Sequence, residues 1–301
     1  MSVYERGIKM RIGIIGGGSI GLLFSYYLGE RYDVTLYTRT LDQAEAIRQN
    51  GLQLIGNGQI HKSELKTNTI ENWHGNEDIT FIAVKQYHLS TLIEFLLERQ
   101  IGKTIFIFLQ NGMGHLKLLQ LLNDETIYVS TVEHGAYKIN PFTIEHNGIG
   151  QTKLAIYKGE KTIPDSLFFI PEFPIIFESN YYEMLIRKLV INAIINPLTA
   201  VLRVPNGEII QNEHYLRVAQ NYFSEIAAIL QLTNKENYFR QVLEVCQRTS
   251  NNRSSMLKDI EQKSQTEVDS IIGFILEEAE KKKIKAPISQ MLYDFIKGSE
   301  R

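Results

Sequence analysis

The chain has 301 residues, 44% of them hydrophobic, and a formal net charge of −2. It can bury a large core, at a length where single cores tend to divide in two. The balanced charge and the absence of any extended Lys/Arg stripe offer no field for nucleic acid, and the single cysteine, Cys246, excludes an intramolecular disulfide and fits a reducing, cytoplasmic setting. The seven histidines lie far apart, with no metal-ligand spacing. Met1–Lys9 lacks the apolar core of a signal peptide and reads as a short extension, with Met10 an alternative start. The longest apolar stretch, 184–202, is interrupted by Arg187, Lys188, Asn192, Asn196 and Pro197, so a soluble protein is expected, without a membrane span.

In chain order, the first element is an apolar strand over 11–15, followed at once by Gly16-Gly17-Gly18-Ser19-Ile20-Gly21 and a helix through Leu22–Leu28. This is a G-x-G-x-x-G turn between strand and helix. The first glycine turns the chain, the second lets backbone approach a pyrophosphate, and the third lets helix pack on sheet, so phosphates meet free N–H groups at the helix's positive end. A dinucleotide is the expected guest. At the end of the next strand, 33–37, an NAD-binding protein usually carries an acid for the ribose 2′-hydroxyl, whereas this chain reads Thr38-Arg39-Thr40. The missing acid and the guanidinium of Arg39 favour NADPH over NADH.

Further strands are expected over 79–84, 104–109 and 127–132, with helix-length segments at 43–50 and 87–99 between them. That alternation predicts a parallel sheet covered by helices. Runs 142–146 and 152–157 around Asn147-Gly148-Ile149-Gly150 read as a hairpin added at the sheet's end, and 168–177, with Pro171 and Pro174, as extended chain. From Tyr181 the pattern becomes helical, over 181–201, 212–231, 235–248, 255–262, 266–283 and 287–297, with Asn234 and Thr266 as N-caps and Pro287 in a first turn. The expected architecture is an α/β Rossmann-type dinucleotide-binding domain over 10–178 followed by an all-α domain over 179–301.

Lys188, Asn192 and Asn196 stand at i, i+4 and i+8 in an otherwise apolar helix, forming one polar line. Buried without partners, each would cost about 1–3 kcal/mol or more, so the line is either paired structurally or faces a cleft with a polar substrate. An ammonium there can protonate a nascent alkoxide and hold a carboxylate. Two more clusters follow. Asn251-Asn252-Arg253-Ser254-Ser255 and Thr266-Glu267-Val268-Asp269 also read as plain loop and helix caps. Lys85 and Asn111 end the third and fourth parallel strands, which places both at the mouth where such sheets bind ligands.

The glycine turn, Ala83-Val84-Lys85, Gln110-Asn111-Gly112-Met113-Gly114, the run from Lys188 to Ala200, Ser254–Asp259 and Thr266–Asp269 together resemble the ketopantoate reductase (2-dehydropantoate 2-reductase) family across both domains. The resemblance implies NADPH-dependent reduction of a small 2-oxo acid, 2-dehydropantoate, to (R)-pantoate on the way to pantothenate. It implies Lys188 as general acid and Glu267 as the acid that stabilises the site and positions substrate and lysine. Asn192, Asn196 and Ser255 would bind substrate, with Asn252 as a further contact. Asn111 and Lys85 would serve the nicotinamide-ribose side and Arg39 the 2′-phosphate, and a homodimer is compatible with this reading. Three alternatives stand beside it: a related reductase of another small 2-oxo acid, a non-catalytic NADPH-sensing module, and a Tyr-x-x-x-Lys short-chain dehydrogenase. The last rests on Tyr157/Lys161 and Tyr293/Lys297, which the helical second domain makes chance matches.

Overall fold

The computed structural model describes residues 10–56, 58–99, 103–122, 125–165 and 167–300; the extension expected over Met1–Lys9 lies outside them. The chain divides into two compact units, one ending at Gln110 and resuming over Leu118–Met184, the other taking Asn111–Lys117 and the chain from Leu185 on.

The first unit contains β1 (Arg11–Ile15), α1 (Ser19–Gly29), β2 (Asp33–Thr38), α2 (Leu41–Asn50), β3 (Leu52–Gly56), β4 (Gln59–Ser63), β5 (Lys66–Thr69), β6 (Ile79–Ile82), α3 (Leu89–Leu97) and β7 (Ile105–Phe108). After the short α4 (Leu116–Leu119) come β8 (Ile127–Val132), β9 (Gly135–Asn140), β10 (Thr143–Gly148), β11 (Thr152–Lys158) and β12 (Ile175–Phe177). The main sheet has the order β12-β11-β8-β7-β6-β1-β2-β5. It is parallel from β5 to β8, and β11 then runs antiparallel to β8. Its central strands are short and apolar because both faces are covered: all four residues of β6, Ile-Thr-Phe-Ile, are buried. Register keeps apolar residues side by side, with Ile12 opposite both Val34 and Ile79.

The hairpin expected between 142–146 and 152–157 does not form. Instead β10 pairs antiparallel with β9 and parallel with β3 in a second sheet of order β4-β3-β10-β9, and β11 joins the main sheet. The reason is local: Asn140 Oδ1 accepts from Phe142 N at 3.0 Å and closes a tight turn at Pro141, giving β10 a nearer partner than β11. The extended chain over 168–177 is held by its aromatics. The Phe173 ring stacks on Tyr27 at 4.7 Å and meets Phe24 edge-on at 4.8 Å, and Phe168 is fully buried.

The second unit is helical, and no strand occurs in it among the described residues. Its elements are α5 (Tyr181–Leu202, whose first turn belongs to the first unit), α6 (Glu208–Gln211), α7 (Glu213–Ile229), α8 (Lys235–Arg248), α9 (Ser255–Glu261), α10 (Phe274–Lys282) and α11 (Pro287–Ser299). Side chains of Asn212, Asn234 and Ser254 cap α7, α8 and α9. The helix expected over 266–283 starts at Val268, two residues late, and runs on without interruption; its first turns, Asp269–Gly273, are π-helical, and α10 follows from Phe274.

By length and composition α5 could cross a membrane, yet 67% of its most apolar window is buried within the protein, as in a core helix. Pro197 sits inside it without a backbone donor. Two residues on, Thr199 Oγ1 lies 2.7 Å from Ile195 O and 2.7 Å from Ser254 Oγ, so one buried hydroxyl serves both the proline turn and the cap of α9. Thr199→Val should therefore cost about 1–3 kcal/mol by removing the buried hydrogen bonds of this hydroxyl. An unchanged urea midpoint for the helical unit would contradict this role.

His115, in the 111–117 segment, is fully buried, and neither ring nitrogen has a hydrogen-bond partner among the described residues. Burial alone pulls its pKa down to about 4. The unfolded chain protonates this imidazole near pH 6.5 while the fold keeps it neutral, so its contribution is intact above that pH and is lost as pH falls toward 4. His115→Leu should remove about 3 kcal/mol of the wild-type stability loss over that interval, at about 1.4 kcal/mol per pKa unit. Parallel stability–pH curves for the two proteins would refute the assignment.

Candidate active site

In the first unit, backbone contact shapes the glycine turn. Gly16 has φ +118°, and a Cβ there would lie 2.9 Å from the Ala83 carbonyl carbon. A Cβ on Gly21 would stand 1.8 Å from Gly16 O, so α1 packs against the turn at a distance only glycine allows. Around Gly18 the space is open, and a Cβ added there would meet nothing within 4 Å. Gly18 is also the N-cap of α1, without a side-chain cap and with no acid in the first turn. The free N–H groups of Ser19, Ile20 and Gly21 therefore open the helix as an anion site, and the residues present fit a dinucleotide pyrophosphate.

Arg39 is exposed immediately after β2, where Thr38 is buried and Thr40 caps α2. Lys85 is exposed after β6. Two residues that no sequence motif marks also meet this turn. Gln43 Nε2 donates to Gly17 O at 2.8 Å and to Pro141 O at 3.1 Å, and Lys138 Nζ donates to the same Gly17 carbonyl at 3.1 Å. Lys138 comes from β9, a strand absent from the expected elements, so nothing local pointed to it.

In the second unit, α5 carries the polar line. Lys188 and Asn192 are half-buried and Asn196 is buried, while Leu189, Val190, Ala193, Ile194 and Ile195 around them are core residues. Asn111 follows β7 in the chain, but its segment folds with the helical unit. There Asn111 Nδ2 donates to Glu267 Oε2 at 2.9 Å, joining two residues 156 positions apart. Gly112 explains how: its φ is +76°, and a Cβ would lie 2.2 Å from Ser270 O, so this backbone rests directly on the π-helical turn beyond Glu267. Met113 N also donates to Ser270 O, at 3.3 Å.

Glu267 is buried, and the segment bearing it is tied to the last helix. Glu300 Oε1 accepts from both the backbone N and the hydroxyl of Thr266, at 3.0 and 2.6 Å, and Lys297 bridges Glu300 to Asp269. Nothing in the sequence near Glu300 signalled this. Asn252 and Ser255 are exposed, whereas the neighbouring Ser254 is buried against Thr199 and caps α9, which leaves Ser255 as the hydroxyl of the pair that faces outward. Cys246 is buried and burial pushes its thiol up to about 12, so it stays protonated and unreactive. No group of His, Cys, Asp or Glu suited to a metal occurs among the described residues.

Both units match family models: the ketopantoate reductase PanE/ApbA model over residues 12–159 and the ketopantoate reductase PanE/ApbA C-terminal model over 180–300. The chain is 41% identical to the 2-dehydropantoate 2-reductase of Bacillus subtilis (strain 168) over 298 residues, which covers 97% of this chain and 98% of that protein. It is 36% identical to the 2-dehydropantoate 2-reductase of Listeria innocua over 300 residues, covering 97% of each. A crystal structure of a probable 2-dehydropantoate 2-reductase from Bacillus subtilis superimposes with a TM-score of 0.87 at 40% identity, covering 96% of this chain and all of that one. With both halves matched and near-complete relatives above 30% identity, the chain belongs to the ketopantoate reductase family.

Proposed function

We propose that this protein reduces 2-dehydropantoate to (R)-pantoate with NADPH in the cytoplasm, a step toward pantothenate. The observation that carries the proposal is the line of Lys188, Asn192 and Asn196 on a buried, otherwise apolar helix, in a chain whose two halves both match the family. Three polar groups with that spacing present one hydrogen-bonding edge along the helix, and a small hydroxylated 2-oxo acid offers groups that match it.

A nicotinamide held there would supply the hydride that the 2-oxo carbon accepts. As the carbonyl oxygen gains negative charge, the Lys188 ammonium stabilises it and delivers the proton that completes the alcohol. Asn192 and Asn196, one and two turns along the same helix, offer amide donors and acceptors to the substrate's hydroxyl and carboxylate. Asn252, in the α8–α9 loop, and Ser255, in the first turn of α9, would add polar contacts. Glu267, fixed by Asn111, would stabilise the site and help position substrate and Lys188. In the first unit the α1 N-terminus and Gly18 take the pyrophosphate, Lys85 the nicotinamide-ribose side, and Arg39 the 2′-phosphate, where a carboxylate would repel it.

Lys188→Ala should lower kcat by about a hundredfold or more, as loss of a positioned general acid commonly does, with NADPH affinity retained. Glu267→Ala should lower kcat/KM, and the double variant should lose less than the two single losses combined, because groups acting as one unit are not additive. Near-normal turnover of the Lys188 variant would end the assignment, and full additivity would separate the two roles.

Arg39→Asp should weaken NADPH far more than NADH, since it deletes a charge-assisted contact and adds repulsion at the 2′-phosphate. Titrating both cofactors by nicotinamide fluorescence checks this. Equal losses would return cofactor choice to other residues.

A further inference from the structure

β9 lies in the second sheet of the first unit and packs against α1. Its side chains alternate: Tyr137 and Ile139 are exposed, while Ala136, Lys138 and Asn140 on the opposite face are half-buried. A lysine on the covered face of a strand needs a partner for its charge. The partners it has are neutral. Lys138 Nζ donates to Gly17 O at 3.1 Å, and its backbone N donates to Ser19 Oγ at 3.2 Å, so residue and glycine turn are joined twice.

The nearest charge is of the wrong sign. Burial first, and the Arg39 guanidinium second, hold the Lys138 ammonium below the ordinary lysine range. His88 is held down by the same two causes, burial and then Arg39. Among the described residues no carboxylate pairs with Arg39 or with Lys138. Two uncompensated cations, with a histidine beside them, thus surround the end of β2, where dinucleotide-binding sheets meet the adenosine ribose. Repulsion of this kind is relieved when an anion enters. A phosphomonoester brings about −1.5 to −2 at neutral pH, enough for both cations.

We propose that Lys138 is a second cation of the cofactor's 2′-phosphate site, sharing that group with Arg39 and determining the preference for NADPH. The inference rests on the NADPH reading above and extends it to a residue supplied by the small sheet. A different role is also defined by the geometry: Lys138 would only brace the Gly17 carbonyl, and its loss would then disturb the turn for any dinucleotide.

The two roles separate by binding, without turnover. Isothermal titration of the intact protein with 2′,5′-ADP, which carries the 2′-phosphate, and with 5′-AMP, which lacks it, gives a ratio of affinities. Lys138→Met should weaken 2′,5′-ADP about tenfold or more, the equivalent of about 1.4 kcal/mol, with 5′-AMP changed less than about twofold. Lys138→Arg should keep most of the wild-type ratio, and it serves as the second variant should the methionine protein fold poorly; a ratio collapsed in Lys138→Arg with circular dichroism unchanged overturns the proposal. Equal losses for both ligands in Lys138→Met overturn it in favour of the brace, and no loss for either overturns it outright. If the wild type itself binds 2′,5′-ADP no better than 5′-AMP, the NADPH reading falls first, which is a distinct result from an unchanged preference in the variant.

Discussion

The contact between Gly21 and the Gly16 carbonyl is the constraint on which the cofactor half depends. A methyl group at position 21 would sit 1.8 Å from that oxygen, so the start of α1 can approach the end of β1 only with glycine there. That approach turns the uncapped N–H groups of α1 toward the open space at Gly18. It also brings the turn within reach of Gln43 and Lys138, which grip the Gly17 carbonyl from α2 and β9. The small sheet, which adds no strand to the main sheet, thereby gains a place at the turn.

The helical half is organised around a carboxylate. Glu267 lies between a helix end and a π-helical turn, an irregular backbone of the kind often found where function overrides regular hydrogen bonding. Two separate parts of the unit hold it, the 111–117 segment and the end of the last helix. Asn111 bonds its carboxylate, the Gly112 backbone rests on Ser270, and Glu300 of the final turns fixes Thr266 next door. Such positioning would matter for the role proposed for Glu267, since a displacement of about 1 Å can cost a hundredfold in rate. The last helix of the chain is thus part of the support for the site.

Much of this was legible in the sequence because the relevant signals are local. The glycine turn, the i, i+4, i+8 line on α5 and the caps at Asn234 and Ser254–Ser255 depend on spacing within a few residues, and their elements stand where they were expected. The second sheet was not legible. Gln59–Ser63 is polar and wholly solvent-facing but for its last residue, and Gly135–Asn140 alternates too weakly to announce a strand; both are strands only because of the partners they find in the fold. Lys138 was hidden with its strand. Asn111 was expected at the sheet's ligand mouth, yet its side chain bonds Glu267 in the helical unit, a long-range pairing that no window of sequence contains. Glu300 and Gln43 act through similarly distant partners.

If a bound reductant and the acid of the helical unit together convert one particular 2-oxo acid, the most direct test is turnover itself. Wild-type protein is incubated with NADPH and 2-dehydropantoate, beside a panel of other small 2-oxo acids, following the loss of reduced-nicotinamide absorbance and the pantoate formed. Consumption should be fastest with 2-dehydropantoate, with one pantoate formed per NADPH oxidised and the (R) product. Faster turnover of another 2-oxo acid would reassign the substrate, and NADPH binding without consumption on any of them would contradict the enzyme altogether.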